Sequence, residues 1–433
     1  MLPKIPRSYS KSFNEIITLG SFSPDLLFIR LGSLSSDFVL LDSSSVNKTF
    51  NHEFGHLRHY LSSYLGIKDF YYWTLILDVL LTDYPDLTPE EENTFQSNKI
   101  LEIVRQKQIL SIDDEFYFEK KQELFDEAKI KWRTWHVNSV FGKLYTSKGN
   151  ISDHCFWGSR FFIGPSDDGR TFIRIPIGMR TVLEHMATAI DFIGSISNNT
   201  ILSDIDQFVS NAYSPELLHY YCLTHWIGPI MKMKYGHVNN AYFVSGQLVS
   251  LLCEIPFDDS NIWSKLIEYA KKSDPELVPL MNYPHPSFLF PIIKSAAFNC
   301  DINWETFDLT KFEERIEIVL KKLKLPTLSV LRKKTLELTR ELVKILNKHD
   351  FTSPISDLIK WVQGHENQIG WNARFTNPIN FNLDNLPVPI IFSDDSFIEG
   401  NIIKMSDSLE LLTAFNRKEE MLRYNYSRNI IDE

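Results

Sequence analysis

Between Val46 and Tyr64 the apolar residues Val46, Phe50, Phe54, Leu57, Leu61 and Tyr64 recur at helical spacing, a period that only an α-helix with one face in a core can satisfy. Ser43-Ser44-Ser45 offers N-cap hydroxyls ahead of it and Gly66 offers a stop, so a helix of roughly five turns is expected. Set into this helix is His52-Glu53-Phe54-Gly55-His56. Histidines four apart lie one above the other, and both imidazoles can converge on a single ion. Glu53 lies next to His52 around the helix and is badly placed as a third ligand, but its carboxylate can reach a water at that ion and take its proton. It is the natural general base.

At about 100° per residue, His52, His56 and His59 fall nearly opposite the stripe of Phe50, Phe54, Leu57 and Leu61. The histidines are therefore expected to face out of the core, as the floor of a cleft or as a plain solvent face. His59 sits about 10 Å along the helix from His52, too far to share its ion, and is assigned to the cleft wall or to the layer behind the ligands. Chance would produce the His-Glu-x-x-His pattern roughly 0.02 times in a chain of this composition, which favours a metal site over a pair of structural histidines.

Elsewhere the apolar runs at 25–31 and 37–42 around Gly32-Ser33 are expected as two short strands. Residues 67–145 read mainly as helices, including Asn98–Ile109 and the aromatic, charged stretch 114–135. Arg160–Ile163 and Thr171–Ile175 flank Gly164-Pro165-Ser166-Asp167-Asp168-Gly169 as a hairpin, and a helix follows at about 181–193. Helices are expected again over 214–255, 261–272, 284–300 and 328–348. Short strands and a final helix near 408–422 complete the chain. The fold class is α+β and predominantly α-helical.

On the helix at 181–193 stands Glu184-His185-Met186-Ala187, with Leu183, Ala187 and Ile190 as its apolar stripe. His52-Glu53-x-x-His56 with this downstream Glu-x-x-Ala resembles the zincin metallopeptidases of the gluzincin group. The resemblance rests on about ten residues. It implies a zinc ion held by His52, His56 and Glu184, Glu53 as general base, a zincin-like core, and the strand at 37–42 as the edge that holds an extended substrate. The sequence departs from the group in two places. The gap from His56 to Glu184 is long, which requires a helical insertion at about 67–158, and the position four after the glutamate is Thr188 where many members have an Asp. Asp191 could serve instead, and Asp191 and His185 are the alternatives to Glu184 as ligand. Tyr283-Pro284-His285-Pro286-Ser287 is similar to a His-Pro element of some gluzincins and makes His285 a candidate for stabilising an oxyanion; the plainer reading is a helix-start turn. Glu254, after the apolar run 248–253, is read as structurally paired.

The division expected is a catalytic domain over 1–310 and a mainly helical C-terminal region over 311–433. Lys+Arg 45 against Asp+Glu 55 gives a formal charge of −10 with no extended basic stripe, which argues against a nucleic-acid partner. The cluster Lys321-Lys322-Leu323-Lys324 with Arg332-Lys333-Lys334 is read as solvated helix faces. The four cysteines are far apart and contain no C-x-x-C pair, so neither a disulfide framework nor a cysteine zinc site is expected. The N-terminus lacks an apolar signal region, and the apolar stretch near 71–81 is interrupted by Asp78, so no membrane association and a cytoplasmic location are expected.

The function expected is a zinc-dependent hydrolase, a peptidase acting on protein or peptide, restrained by narrow substrate choice, by the insertion, or by a regulatory protein partner, as in a bacterial stress or defence protease. Two alternatives stand beside it. One is a non-catalytic helical interaction protein with a structural or absent metal site; the other is a zinc-stabilised but inactive relative.

Overall fold

The computed structural model describes residues 20–32, 44–111, 116–118, 137–145, 151–162, 172–197, 217–236, 240–306, 308–369 and 386–431. Among them are twelve α-helices and eight short strands, numbered here along the chain, so the fold is predominantly helical with small sheets. The chain divides into two compact units, Met1–Lys107 with Thr335–Glu433, and Gln108–Lys334. This differs from the division expected after residue 310: the chain leaves the first unit late in one helix and re-enters it within another, so no composition shift marks either border.

In the first unit, β1 (Gly20–Ser23) and β2 (Phe28–Leu31) pair antiparallel, β2 pairs parallel with β7 (Ile390–Phe392), and β7 pairs antiparallel with β8 (Phe397–Ile398). The turn between β1 and β2 places Leu27 at φ 54°, a left-handed conformation that is costly for a branched side chain; its complete burial holds it there. Phe28, Ile391 and Phe397 of this sheet pack with Met405 and Leu412 of α12 (Met405–Ile431). The helix bearing the His-Glu-x-x-His pattern, α1 (Ser44–Ser62), packs on β1 and β2 and against α2 (Tyr64–Leu81) and α11 (Ser353–Ile369). The strand expected at 37–42 lies outside the described residues.

Gly66 does not stop α1. The break comes at Ser63, whose hydroxyl accepts from the Gly66 N–H at 3.2 Å and donates to the His59 carbonyl at 2.6 Å, capping α2 while closing α1. Gly66 instead lies inside α2, where the two helices touch: a Cβ there would sit 2.5 Å from the Tyr60 Cα. After α2, Thr88 and Glu91 form a reciprocal capping box that opens α3 (Pro89–Ser111) with proline in its first turn.

The second unit opens with an antiparallel sheet in the order β3 (Phe116–Phe118), β4 (Val137–Tyr145), β5 (Ile151–Phe162) and β6 (Phe172–Pro176). The β5–β6 hairpin is as expected. Of the helix expected over 114–135, Phe116–Phe118 is a strand instead and 119–136 lies outside the described residues; β4 and β5 are likewise strands where a helical insertion over about 67–158 is expected. Aromatic residues suit a pleated surface as well as a helix stripe, and only the partner strand decides between them. Then follow α4 (Met179–Ser197), α5 (Leu218–Tyr235), α6 (Ala241–Glu254), α7 (Ser260–Ser273), α8 (Leu289–Phe298) and α9 (Phe312–Lys322). Every residue of α6 is buried, and α4, α5, α8 and α9 pack around it. The remaining helix, α10 (Leu328–Leu346), spans the border between the units. Among the described residues no helix is long and apolar enough to cross a membrane.

Two glycine replacements should separate close packing from helix propensity. Gly66→Ala forces α1 and α2 apart and should cost about 1–3 kcal/mol or more. Gly364→Ala, inside α11 with nothing within 4 Å of the added carbon, should be neutral or stabilise by about 0.5–1 kcal/mol. Denaturant unfolding of both variants beside the parent checks the contrast.

Candidate metal centre

His52 and His56 stand one turn apart on α1 with their Nε2 atoms 3.2 Å from each other and their ring planes 81° apart. Tetrahedral zinc, with Zn–N bonds of about 2.0–2.1 Å, holds two ligand nitrogens about 3.3 Å apart. The separation of the pair therefore matches that of two nitrogens on such an ion. An N–H···N hydrogen bond between two neutral rings would occupy the same separation, so the geometry is also that of an uncharged structural pair. Both rings are half-buried and Glu53 is buried.

The remainder of α1 differs from the amphipathic wheel. Asn51, Arg58 and His59 are buried as well, His59 to 1% exposure, so much of the polar side of the helix is covered while His52 and His56 keep partial exposure. Helix periodicity reports which face is most apolar, not how many neighbours the fold will pack around it. His59 is a buried residue rather than the wall of an open cleft.

Next along the face of the histidines comes Tyr60, whose hydroxyl donates to the Asp69 carboxylate at the start of α2. Lys107 of α3 reaches Asp69 at 3.3 Å and Asp25, in the β1–β2 turn, at 2.9 Å. Burial pushes the Asp69 carboxyl up, while Lys107 and Tyr60 oppose the shift. Burial alone would lower the Lys107 amine, but the two carboxylates outweigh it and hold it above the ordinary lysine range. Four residues from four segments thus form one charge network. No local pattern in the sequence announces it.

Glu184 belongs to the second unit, on α4, and is half-buried. Thr188, where an Asp was expected, donates its hydroxyl to the Glu184 carbonyl at 2.9 Å. The side chain of Asp191 lies outside the described residues. His185, the other alternative ligand, is buried: Nδ1 lies 3.0 Å from the Tyr220 carbonyl and Nε2 3.0 Å from the Ser245 hydroxyl, which also contacts Thr224. Both nitrogens are committed to packing α4 against α5 and α6. His219, on α5, was not singled out by the sequence; its imidazole is lowered by partial burial and by Arg180, while Glu184 opposes the shift. A lone histidine at a helix start carries no signal that could have found it.

His285 caps the helical turn at Pro286–Phe288. Its Nδ1 accepts from the Ser287 N–H at 3.0 Å and faces the Ser287 hydroxyl at 2.7 Å, while Nε2 lies 2.7 Å from the Ile109 carbonyl. Ser287 in turn accepts from the Trp157 N–H of β5 at 2.9 Å. With 3% exposure and both nitrogens used in the fold, His285 has the geometry of a cap, and the role at an oxyanion expected for it has no support here.

Burial holds His185 neutral down to about pH 4, against an ordinary value of 6.5. Because the folded value is depressed, the unfolded chain takes up the proton first as pH falls. Stability should therefore drop from about pH 6.5 and level off below about 4, by roughly 3 kcal/mol in all. Denaturant unfolding across that window should show the slope, and His185→Asn should flatten it. The chain matches no protein-family model, no curated protein and no solved structure.

Proposed function

We propose that the chain is a zinc-dependent hydrolase, a peptidase of gluzincin type, in which His52, His56 and Glu184 hold the ion and Glu53 is the general base. The observation that carries this reading is the half-buried His52–His56 pair, its nitrogens 3.2 Å apart beside a buried Glu53. In support, His52 and His56 each offer a ring nitrogen on one side of α1, and Glu184 is the carboxylate that the gluzincin resemblance supplies. Two imidazoles and a carboxylate are the donor set of hydrolytic zinc with one position left for water.

A zinc ion held by these residues would supply Lewis-acid polarisation of a scissile carbonyl and would lower the pKa of a bound water. Glu53 accepts that water's proton and returns it to the departing amine, so the carboxylate ends the cycle as it began. Burial of Glu53 strengthens its interaction with a charge nearby, because little water screens it. These residues select a way of activating water, and a peptide is its usual electrophile. The proposal includes a zincin-like core, a cytoplasmic location, and restraint by narrow substrate choice or a regulatory protein. The competing reading, a structural histidine pair in a non-catalytic interaction protein, is favoured by the same 3.2 Å separation, which suits a hydrogen bond between neutral rings.

Elemental analysis separates the two. The parent should carry about one zinc per chain, and His56→Ala should lose it; absence of metal from both after zinc is supplied overturns the proposal. Glu53→Gln should keep the zinc and lower turnover of a peptide-library substrate by about 10²–10⁴-fold. Undiminished turnover in that variant would remove Glu53 from the role of base.

A further inference from the structure

We infer that Tyr60 and Lys107 are positioning residues for the metal pair, the two ends of a buried support that ties down the C-terminal turns of α1 behind His56. The inference rests on the reading of His52 and His56 as metal ligands, and all of its geometry lies within the first unit. Tyr60 follows His56 by one turn and His52 by two, so it shares their side of the helix. Only two residues beyond it α1 ends, at Ser62. A helix terminus frays unless it is tied, and here two ties meet at one residue: the Tyr60 backbone rests against Gly66, and its hydroxyl donates to Asp69.

Asp69 is 3% exposed, and a carboxylate at that depth is costly unless it is paired. Lys107 supplies the pairing at 3.3 Å and is itself fixed by Asp25 at 2.9 Å. The hydroxyl of Tyr60 is therefore aimed at an anion that cannot move, anchored through α3 and the β1–β2 turn. The tolerance at a metal site makes this matter. Fraying of the last turns of α1 would move His56 relative to His52, and a shift of about 1 Å exceeds the roughly 0.5 Å within which ligands must be held. Groups that orient ligands in this way typically affect metal affinity about tenfold to a hundredfold.

The test is zinc affinity of the full chain by competition with a fluorescent chelator. Variants are Tyr60→Phe, Lys107→Met, Lys107→Arg and the double Asp69→Asn/Lys107→Met, with Ile391→Val as a control that loosens the same unit away from the network. Tyr60→Phe and Lys107→Met should weaken zinc binding about tenfold or more while the metal-free circular dichroism stays that of the parent. Lys107→Arg should bind like the parent, and the double variant should recover most of the affinity lost by Lys107→Met, because the buried charge goes with its partner. Should Lys107→Met fail to fold, Tyr60→Phe, which removes a single hydroxyl, decides. Parent-like affinity in Tyr60→Phe, or an equal loss in Ile391→Val, overturns the positioning role while leaving the metal site intact. A parent that binds no zinc overturns the metal reading and this inference with it, an outcome distinct from the first.

Discussion

Where α1 passes over α2, the Tyr60 backbone lies against Gly66 at a distance no side chain would permit. That close crossing governs the first unit. The chain turns back on itself through a single capping residue, Ser63, so that two helices separated by no loop pack against each other. Once α2 is fixed, Asp69 on its second turn meets the end of α1, and Lys107 of α3 is drawn in to neutralise it. A larger residue at 66 would spread the helices and pull the hydroxyl of Tyr60 away from its acceptor. Packing and charge are coupled at one residue, Tyr60, four positions after His56.

The partial enclosure of α1 has a chemical consequence. Buried polar groups need partners, and a helix that carries Asn51, Glu53, Arg58 and His59 into the interior is costly unless each is satisfied. Structural helices seldom retain so many polar groups when apolar residues would pack as well. A carboxylate beside two converging imidazoles, held where water screens poorly, is the environment in which proton transfer and metal binding are strongest. The proposed function draws on that concentration of polar groups as well as on the spacing of the histidines.

In the second unit histidines do different work. His185 ties α4 to the Tyr220 carbonyl and to Ser245 of the buried helix α6, and His285 caps a turn that is bonded through Ser287 to β5. Both use two ring nitrogens as directional hydrogen-bonding groups within a packed interior, and neither leaves one for a substrate. Residue type is a poor guide to role here, because an imidazole satisfies two buried backbone or hydroxyl groups as readily as it binds an ion.

The helical period of α1, its four-residue histidine spacing, the β5–β6 hairpin and the helices α4 to α8 and α10 were legible in the sequence, because each follows from interactions a few residues apart. Phe116–Phe118 lacks that locality: it is a strand, not part of a helix, because β4 lies beside it, and aromatic residues satisfy either state. Gly66 was read as a stop since glycine ends helices often, whereas its use here depends on a second helix touching it. The burial of His59, the two-nitrogen engagement of His285, and the network joining Asp25, Tyr60, Asp69 and Lys107 depend on segments distant along the chain. By itself the sequence determined which residues could form a metal-binding helix and with what spacing. Only the tertiary structure decided how far this helix is covered, where it is clamped and which histidines are committed to the fold, because those properties arise from contacts between surfaces that no local period encodes.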